Sequence, residues 1–316
     1  MGRVWLALLL IFSFFPATAP QKTSVAAEAR DLPGFVRQLV LERQNETVDC
    51  ETDGAEGRRV LAVYLYPDGQ PNGFDSHVED INRTLSMIDA TWDEAADPYD
   101  QHPRWACDPG TSNPVVLQER GPAVGDDGSY TFDDVRSALL QESLVSPDRV
   151  YLVFADNIGQ YPYGGQATVD ADDHADPTNL NNVGPAYAMI DAQKASWSWR
   201  GLWGTGMHEL MHALGGVQCS APHASCPASE PGRYHCWDGT DIMCYDDGGS
   251  YYLGPDGISG TADDRSMSHE CEPRTEAELI DCGRDDYFNV APGEDSYLAT
   301  HWNLTRSSFV TALLPE

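Results

Sequence analysis

Basic side chains are scarce in this chain: 19 Lys and Arg stand against 50 Asp and Glu in 316 residues, a formal net charge of −31. That balance excludes a nucleic-acid surface, which needs clustered cations to neutralise phosphates, and docking on anionic lipid. No internal repeat is visible. Beyond the N-terminal segment no run approaches the ~20 apolar residues of a membrane span. There is no GxSxG, no P-loop and no GxGxxG in strand–helix context, so the sequence marks of a serine nucleophile elbow and of a phosphate cradle are missing. No CxxC pair occurs, which argues against a thiolate metal site. Disorder is excluded by a 41% hydrophobic share with 8 Trp, 14 Tyr and 9 Phe. The expectation is a monomer with neither nucleic acid nor membrane as partner.

The N-terminus points to export. Arg3 precedes an apolar stretch, Val4 to Phe15, which ends in Pro16-Ala-Thr-Ala19. A basic start, a short apolar core and a small-residue exit describe a secretory signal peptide over residues 1–27, with cleavage between 19 and 29. Residues 28–58 read as a polar N-terminal extension with one amphipathic patch, Phe35, Leu39 and Val40. Eight cysteines lie beyond the signal, an even number that in an exported chain implies disulfides. Proximity pairs Cys219 with Cys226, Cys236 with Cys244 and Cys271 with Cys282, which leaves Cys50 and Cys107 for a long-range bridge. Asn45, Asn82 and Asn303 match the N-x-Ser/Thr acceptor pattern, which matters only in a host that glycosylates.

The pattern along 59–316 predicts an α/β (α+β) fold. Val60 to Tyr66 and Arg149 to Ala155 are short apolar runs of buried strands. Val78, Ile81, Leu85, Ile88 and Trp92 recur at helical spacing and predict a helix over 75–96. Val115 to Gln118 is a short strand. Phe132, Val135, Leu139 and Leu140 mark a second helix, capped by Thr131. Residues 156–184 are rich in Gly, Asn and Asp and predict a long loop, followed by a strand at Ala186–Ile190 and a helix over 203–214. This order implies a mixed sheet with helices packed on it to about residue 215. From 216 to 316 regular structure nearly vanishes, and that region needs disulfides, metal or both.

The chemistry sits at His208-Glu-Leu-Met-His212. On a helix this HExxH places His208 and His212 one turn apart on one face, able to share one ion. Glu209 then stands beside the ion's open position, where it can take a proton from water. Gly215 stands where the helix must stop, since Gly allows the left-handed turn. Further on lies Asp241-Ile-Met-Cys-Tyr245.

In these residues the chain resembles the metzincin zinc metallopeptidases, and a group of secreted bacterial zinc proteases. His208, Glu209, His212 and Gly215 match the HExxHxxG signature, Met243 matches the Met-turn, and Tyr245 matches a tyrosine that some members place near the metal. The motifs cover about 203–302. The resemblance implies a cleft between a sheet subdomain and an irregular subdomain, a Zn²⁺ cofactor, a protein or peptide substrate, Glu209 as general base, and Tyr245 as a donor to the oxyanion.

One position departs from that pattern. The third ligand of the signature falls on Gln218, a neutral amide and a poor zinc ligand. His223, five residues on, has the better chemistry, and a Cys219–Cys226 bridge would tie off a loop able to swing it inward. His223 is therefore the expected third ligand. Ca²⁺ is a second candidate ion: Asp256 to Asp264 is an acidic, Gly-rich loop suited either to calcium or to solvent, and Asp170 to Asp176 is similar. Trp197, Trp199 and Trp203 read as core. Two rival functions share the histidines: a secreted hydrolase of non-peptide amides or esters, and a non-catalytic protein whose fold zinc stabilises.

Overall fold

The computed structural model describes residues 48–51, 54–126, 128–197, 199–226, 234–268, 271 and 280–315. The signal segment, the patch at Phe35–Val40 and Asn45 lie outside them.

The sheet forms because its central strands are buried on both faces, as parallel strands covered on both sides must be. β1 (Arg59–Pro67), β3 (Val116–Gly121), β4 (Arg149–Ala155) and β6 (Ala186–Asp191) are parallel. With β5 (Gly165–Ala167) at the edge, the strand order is β3-β1-β4-β6-β5. Alternate residues go to opposite faces. Val60, Ala62, Tyr64, Val150, Leu152, Phe154, Ala188 and Ile190 enter one core with α1 (Phe74–Ala96) and α3 (Trp199–Ala213). Leu61, Val63, Leu65, Tyr151, Val153 and Met189 enter a second core under α2 (Phe132–Gln141). The architecture is a mixed five-stranded sheet between helices, with four disulfides.

The helices follow their sequence signals. α1 buries Ile81, Leu85, Ile88 and Trp92; each fully buried large apolar side chain contributes about 1.5–3 kcal/mol. Thr131 caps α2 in a reciprocal box with Asp134. Trp203 is buried on α3 and its indole donates to Thr91 Oγ1 at 3.2 Å. Trp197 is half-buried and stacks on His77, and the Trp199 side chain lies outside the described residues.

One element was not expected. The segment 156–184 contains β5 (Gly165–Ala167), the edge strand, antiparallel to β6 through Gly165↔Ile190 and Ala167↔Ala188. Gly-Gln-Ala has no apolar alternation, so pairing with β6 makes it a strand where local propensity does not. Its other edge faces the histidines of α3.

Among the described residues past Gly215, regular structure is limited to α4 (Tyr297–Thr300), a 3₁₀ turn at Leu304–Arg306, and β7 (Leu314–Pro315), which pairs with β2 (Tyr99–Asp100). Two buried carboxylates stand in for secondary structure. Asp281 accepts from the backbone amides of Asp286, Tyr287 and Phe288. Asp241 accepts from Met243 N, Cys282 N and the Tyr287 hydroxyl. The three pairings expected from proximity form, Cys219–Cys226, Cys236–Cys244 and Cys271–Cys282, and so does the remaining long-range pair, Cys50–Cys107. Asn303 is fully buried and its amide bonds Asn289 and Thr305, so in the folded chain it cannot carry a glycan, whereas Asn82 is exposed. Among the described residues no helix is long and apolar enough to cross a membrane.

Gly215 ends α3 with φ +97°, and a Cβ there would meet Asn181 and the Trp302 indole nitrogen within 2.8 Å. Gly215→Ala should therefore destabilise the protein by roughly 1–3 kcal/mol. Urea unfolding checks this; a stability equal to that of the original chain would show that the turn tolerates a side chain.

Candidate metal centre

α3 carries His208 and His212 on one face, as a four-residue spacing dictates, and brings their Nε2 atoms to 3.1 Å. The third residue there is His235. Its Nε2 lies 3.3 Å from that of His208 and 3.1 Å from that of His212.

The other ring nitrogens fix what these edges present. His208 Nδ1 is 2.7 Å from the Ile242 carbonyl, His212 Nδ1 is 2.9 Å from the Gly216 carbonyl, and His235 Nδ1 is 3.0 Å from Asp247 Oδ2. Carbonyls and carboxylates only accept, so each Nδ1 carries the hydrogen and each Nε2 presents a lone pair. Three lone pairs at this separation repel unless a cation lies among them. Burial holds His208 down at about 3 and His212 well below the ordinary imidazole value, so neutral rings are what this pocket stabilises. In a tetrahedral zinc site with Zn–N of about 2.0–2.1 Å, ligand nitrogens stand about 3.3 Å apart. The donor set fits a zinc-like cation.

This corrects the expectation for His223. His223 binds Asp286 instead, through its backbone amide at 2.8 Å and Nδ1 at 3.0 Å, with Asp285 at 3.4 Å, and it packs on Trp237. Gln218 is not at the centre either: its amide donates to the carbonyls of Gly215 and Asp170, tying the helix end to the loop after β5. His235 was missed because it stands far beyond the ligand spacing of the signature. The available signal was its neighbour: Cys236 pairs with Cys244, which adjoins Met243, so the bridge sets His235 beside the Met-turn.

The rest of the pocket is built around these rings. Met243 is fully buried in the core. Its neighbour Ile242 accepts from His208, so the turn supports the ring from below. Tyr245, 46% exposed, places its ring 4.2 Å from that of His235 and lines the cleft. Glu209 faces β5 and is 7% exposed. Gly165 makes that approach possible, because a Cβ there would lie 2.6 Å from the Glu209 carboxylate and side-chain carbon. Burial pushes the Glu209 carboxyl up to about 8. The cleft, about 440 Å³, is lined by Gly165, Gln166, Ala167, Glu209, the three histidines and Tyr245, among others.

The two acidic loops are internally bonded. Asp256, Asp263 and Asp264 accept from the amides or hydroxyls of their own loop, and Asp172 accepts from His174 and Leu180. Among the described residues no three carboxylates of either loop converge within 4.8 Å.

Two outcomes follow. His235→Ala should abolish stoichiometric zinc binding and Asp247→Ala should weaken it ~10–100-fold, while His223→Ala keeps full stoichiometry; zinc titration with a competing chelator reads all three, and loss of zinc only in the His223 variant would refute the assignment. Second, His208 and His212 have folded pKa values below those of the unfolded chain. The metal-free protein should hold this contribution above about pH 6.5 and lose stability as pH falls from there toward 3. Urea midpoints flat over that range would contradict it.

No protein-family model matches this chain and no curated protein is significantly similar to it, so the reading of the site rests on these side chains.

Proposed function

We propose that the protein is a secreted zinc endopeptidase of metzincin type. The observation that carries this reading is the convergence of three Nε2 lone pairs beside one buried carboxylate in a cleft. Bound by His208, His212 and His235, zinc would supply a water of lowered pKa and polarise a substrate carbonyl.

The remaining work falls to the chain. Glu209 touches none of the ring nitrogens and is placed as a base: it accepts a proton from water and passes it to the leaving nitrogen. Its raised pKa favours holding that proton, and a cation beside it would lower the value toward neutrality. The Tyr245 hydroxyl, at the cleft rim, is the donor for the developing oxyanion. His235 is held by Asp247, His208 by Ile242 and His212 by Gly216, so the constellation is preorganised.

A peptide substrate is favoured over a small amide or ester by the edge strand. β5 lies along the cleft with one side unpaired in the sheet, and an extended peptide can add to such an edge through main-chain hydrogen bonds. The signal-like N-terminus and the four disulfides support an extracellular site of action. A zinc-stabilised binding protein would need the histidines but not Glu209.

Glu209→Ala should therefore lower casein hydrolysis by at least ~10³-fold, above the ~10²–10⁴-fold range's lower end for a general base, with zinc content unchanged. Proteolysis that persists in the zinc-loaded variant would reject this mechanism.

A further inference from the structure

A second chamber is walled by residues that neighbour those of the cleft along the chain. It measures about 580 Å³ and is lined by Gly164, Lys194, Ala195, Ser196, Gly201, Gly204 and Thr205. Two covalent links join it to the candidate metal centre. Gly164 precedes Gly165, which faces Glu209. Thr205 lies one helical turn before Glu209 on the same face of α3.

The space is there because side chains are not. A Cβ added at Gly204 would meet nothing within 4 Å, and one at Gly164 would meet only Thr205 at 4.0 Å. The wall opposite α3 is a turn, residues 192–197, held in an unusual shape. Ser196 and Trp197 both have positive φ, 63° and 45°, without being glycine. Two buried carboxylates hold them there. Asp191 accepts from the amides of Gln193 and Lys194 at 3.1 and 3.2 Å. Asp156 accepts from the Gln193 side-chain Nε2 at 2.6 Å and the Trp197 indole at 3.1 Å, and is itself held by the Tyr64 hydroxyl at 2.6 Å. Strained turns that are over-determined in this way cluster at ligand sites.

The charge of this chamber is opposite to that of its surroundings. The chain carries −31, and Glu209 and Asp247 line the neighbouring cleft. Among the described lining residues of the chamber, Lys194 is the one charged side chain. It is exposed, and its ammonium donates to the carbonyl of Tyr161, four residues ahead of β5. An ammonium has three donors, so that bond leaves two for a ligand.

We infer that this chamber is a carboxylate-recognising subsite of the substrate cleft, with Lys194 as its specificity residue. The inference rests on the peptidase reading above. One helical turn is about 6 Å and an extended chain rises about 3.3 Å per residue, so the recognised group sits about two residues from the scissile bond. A carboxylate can reach it from an Asp or Glu side chain or from the free C-terminus of a short peptide. The observations favour neither source, and the two are separable by experiment.

The test uses the full-length zinc-loaded enzyme and internally quenched peptides that carry Glu, Gln or Lys at each position in turn, each with a free or an amidated C-terminus. The expected result is a preference in kcat/KM for the carboxylate at a single position on one side of the cut, about fivefold, the size of an exposed ion pair. Persistence after amidation assigns the preference to a side chain; its loss assigns it to the C-terminus. Lys194→Met should erase the preference and Lys194→Glu should reverse it toward Lys, each read as the ratio of charged to uncharged peptide cut by the same variant. A preference absent from the original chain, or untouched by Lys194→Glu in a variant of normal zinc content and thermal stability, overturns the subsite alone. Failure of every zinc-loaded form to cut any peptide overturns the peptidase reading and the subsite with it.

Discussion

The candidate site depends on one electrostatic constraint: three imidazole edges face a common point, and their lone pairs repel unless a cation lies between them. Each ring is held from behind by a different part of the chain. The end of α3 holds His212 through Gly216, the turn at Met243 holds His208 through Ile242, and the segment after that turn holds His235 through Asp247. The constraint therefore spans the regular and the irregular halves of the molecule. The sheet supplies a rigid platform for α3, and the irregular half must be fixed well enough to present one histidine and one turn.

That fixing is done without helices or strands. A segment with little periodic apolar sequence cannot order itself through secondary structure, so its backbone donors need other partners. Asp241 and Asp281 supply them from inside, and each takes hydrogen bonds that a ladder would otherwise provide. Cys236–Cys244 then joins the residue after His235 to the residue after Met243. The same logic operates at the other side of the cleft, where Asp156 and Asp191 shape the turn before α3. Buried carboxylates recur wherever the chain has to hold a shape that propensity does not favour. Part of the chain's acidity thus lies in its interior, and the rest faces solvent.

Much of the fold was legible in the sequence. Runs such as Arg149 to Ala155 and the spacing Ile81, Leu85, Ile88, Trp92 are dictated by burial against a sheet, and they form the expected elements. Thr131 and Gly215 gave away a helix start and a helix stop by local chemistry. In the candidate site, His208, Glu209 and His212 were readable because helical periodicity alone sets their geometry. Three features were not readable. β5 exists by pairing, and its Gly-Gln-Ala sequence carries no pattern. Gly165 matters for what it leaves out. His235 reaches the other two rings through an irregular loop, where sequence distance says nothing of spatial distance, and His223, closer in sequence, is held by Asp286. The cysteine pairings were legible by proximity, and one of them marked His235.

Zinc-edge anomalous diffraction from crystals of the zinc-loaded protein is the direct test of one zinc site at His208, His212 and His235. A single strong peak bounded by the Nε2 atoms of those three residues is expected, with Glu209 close by and not bonded to the ion. A peak at His223 and Asp286, or no ordered zinc between the three rings, would contradict it.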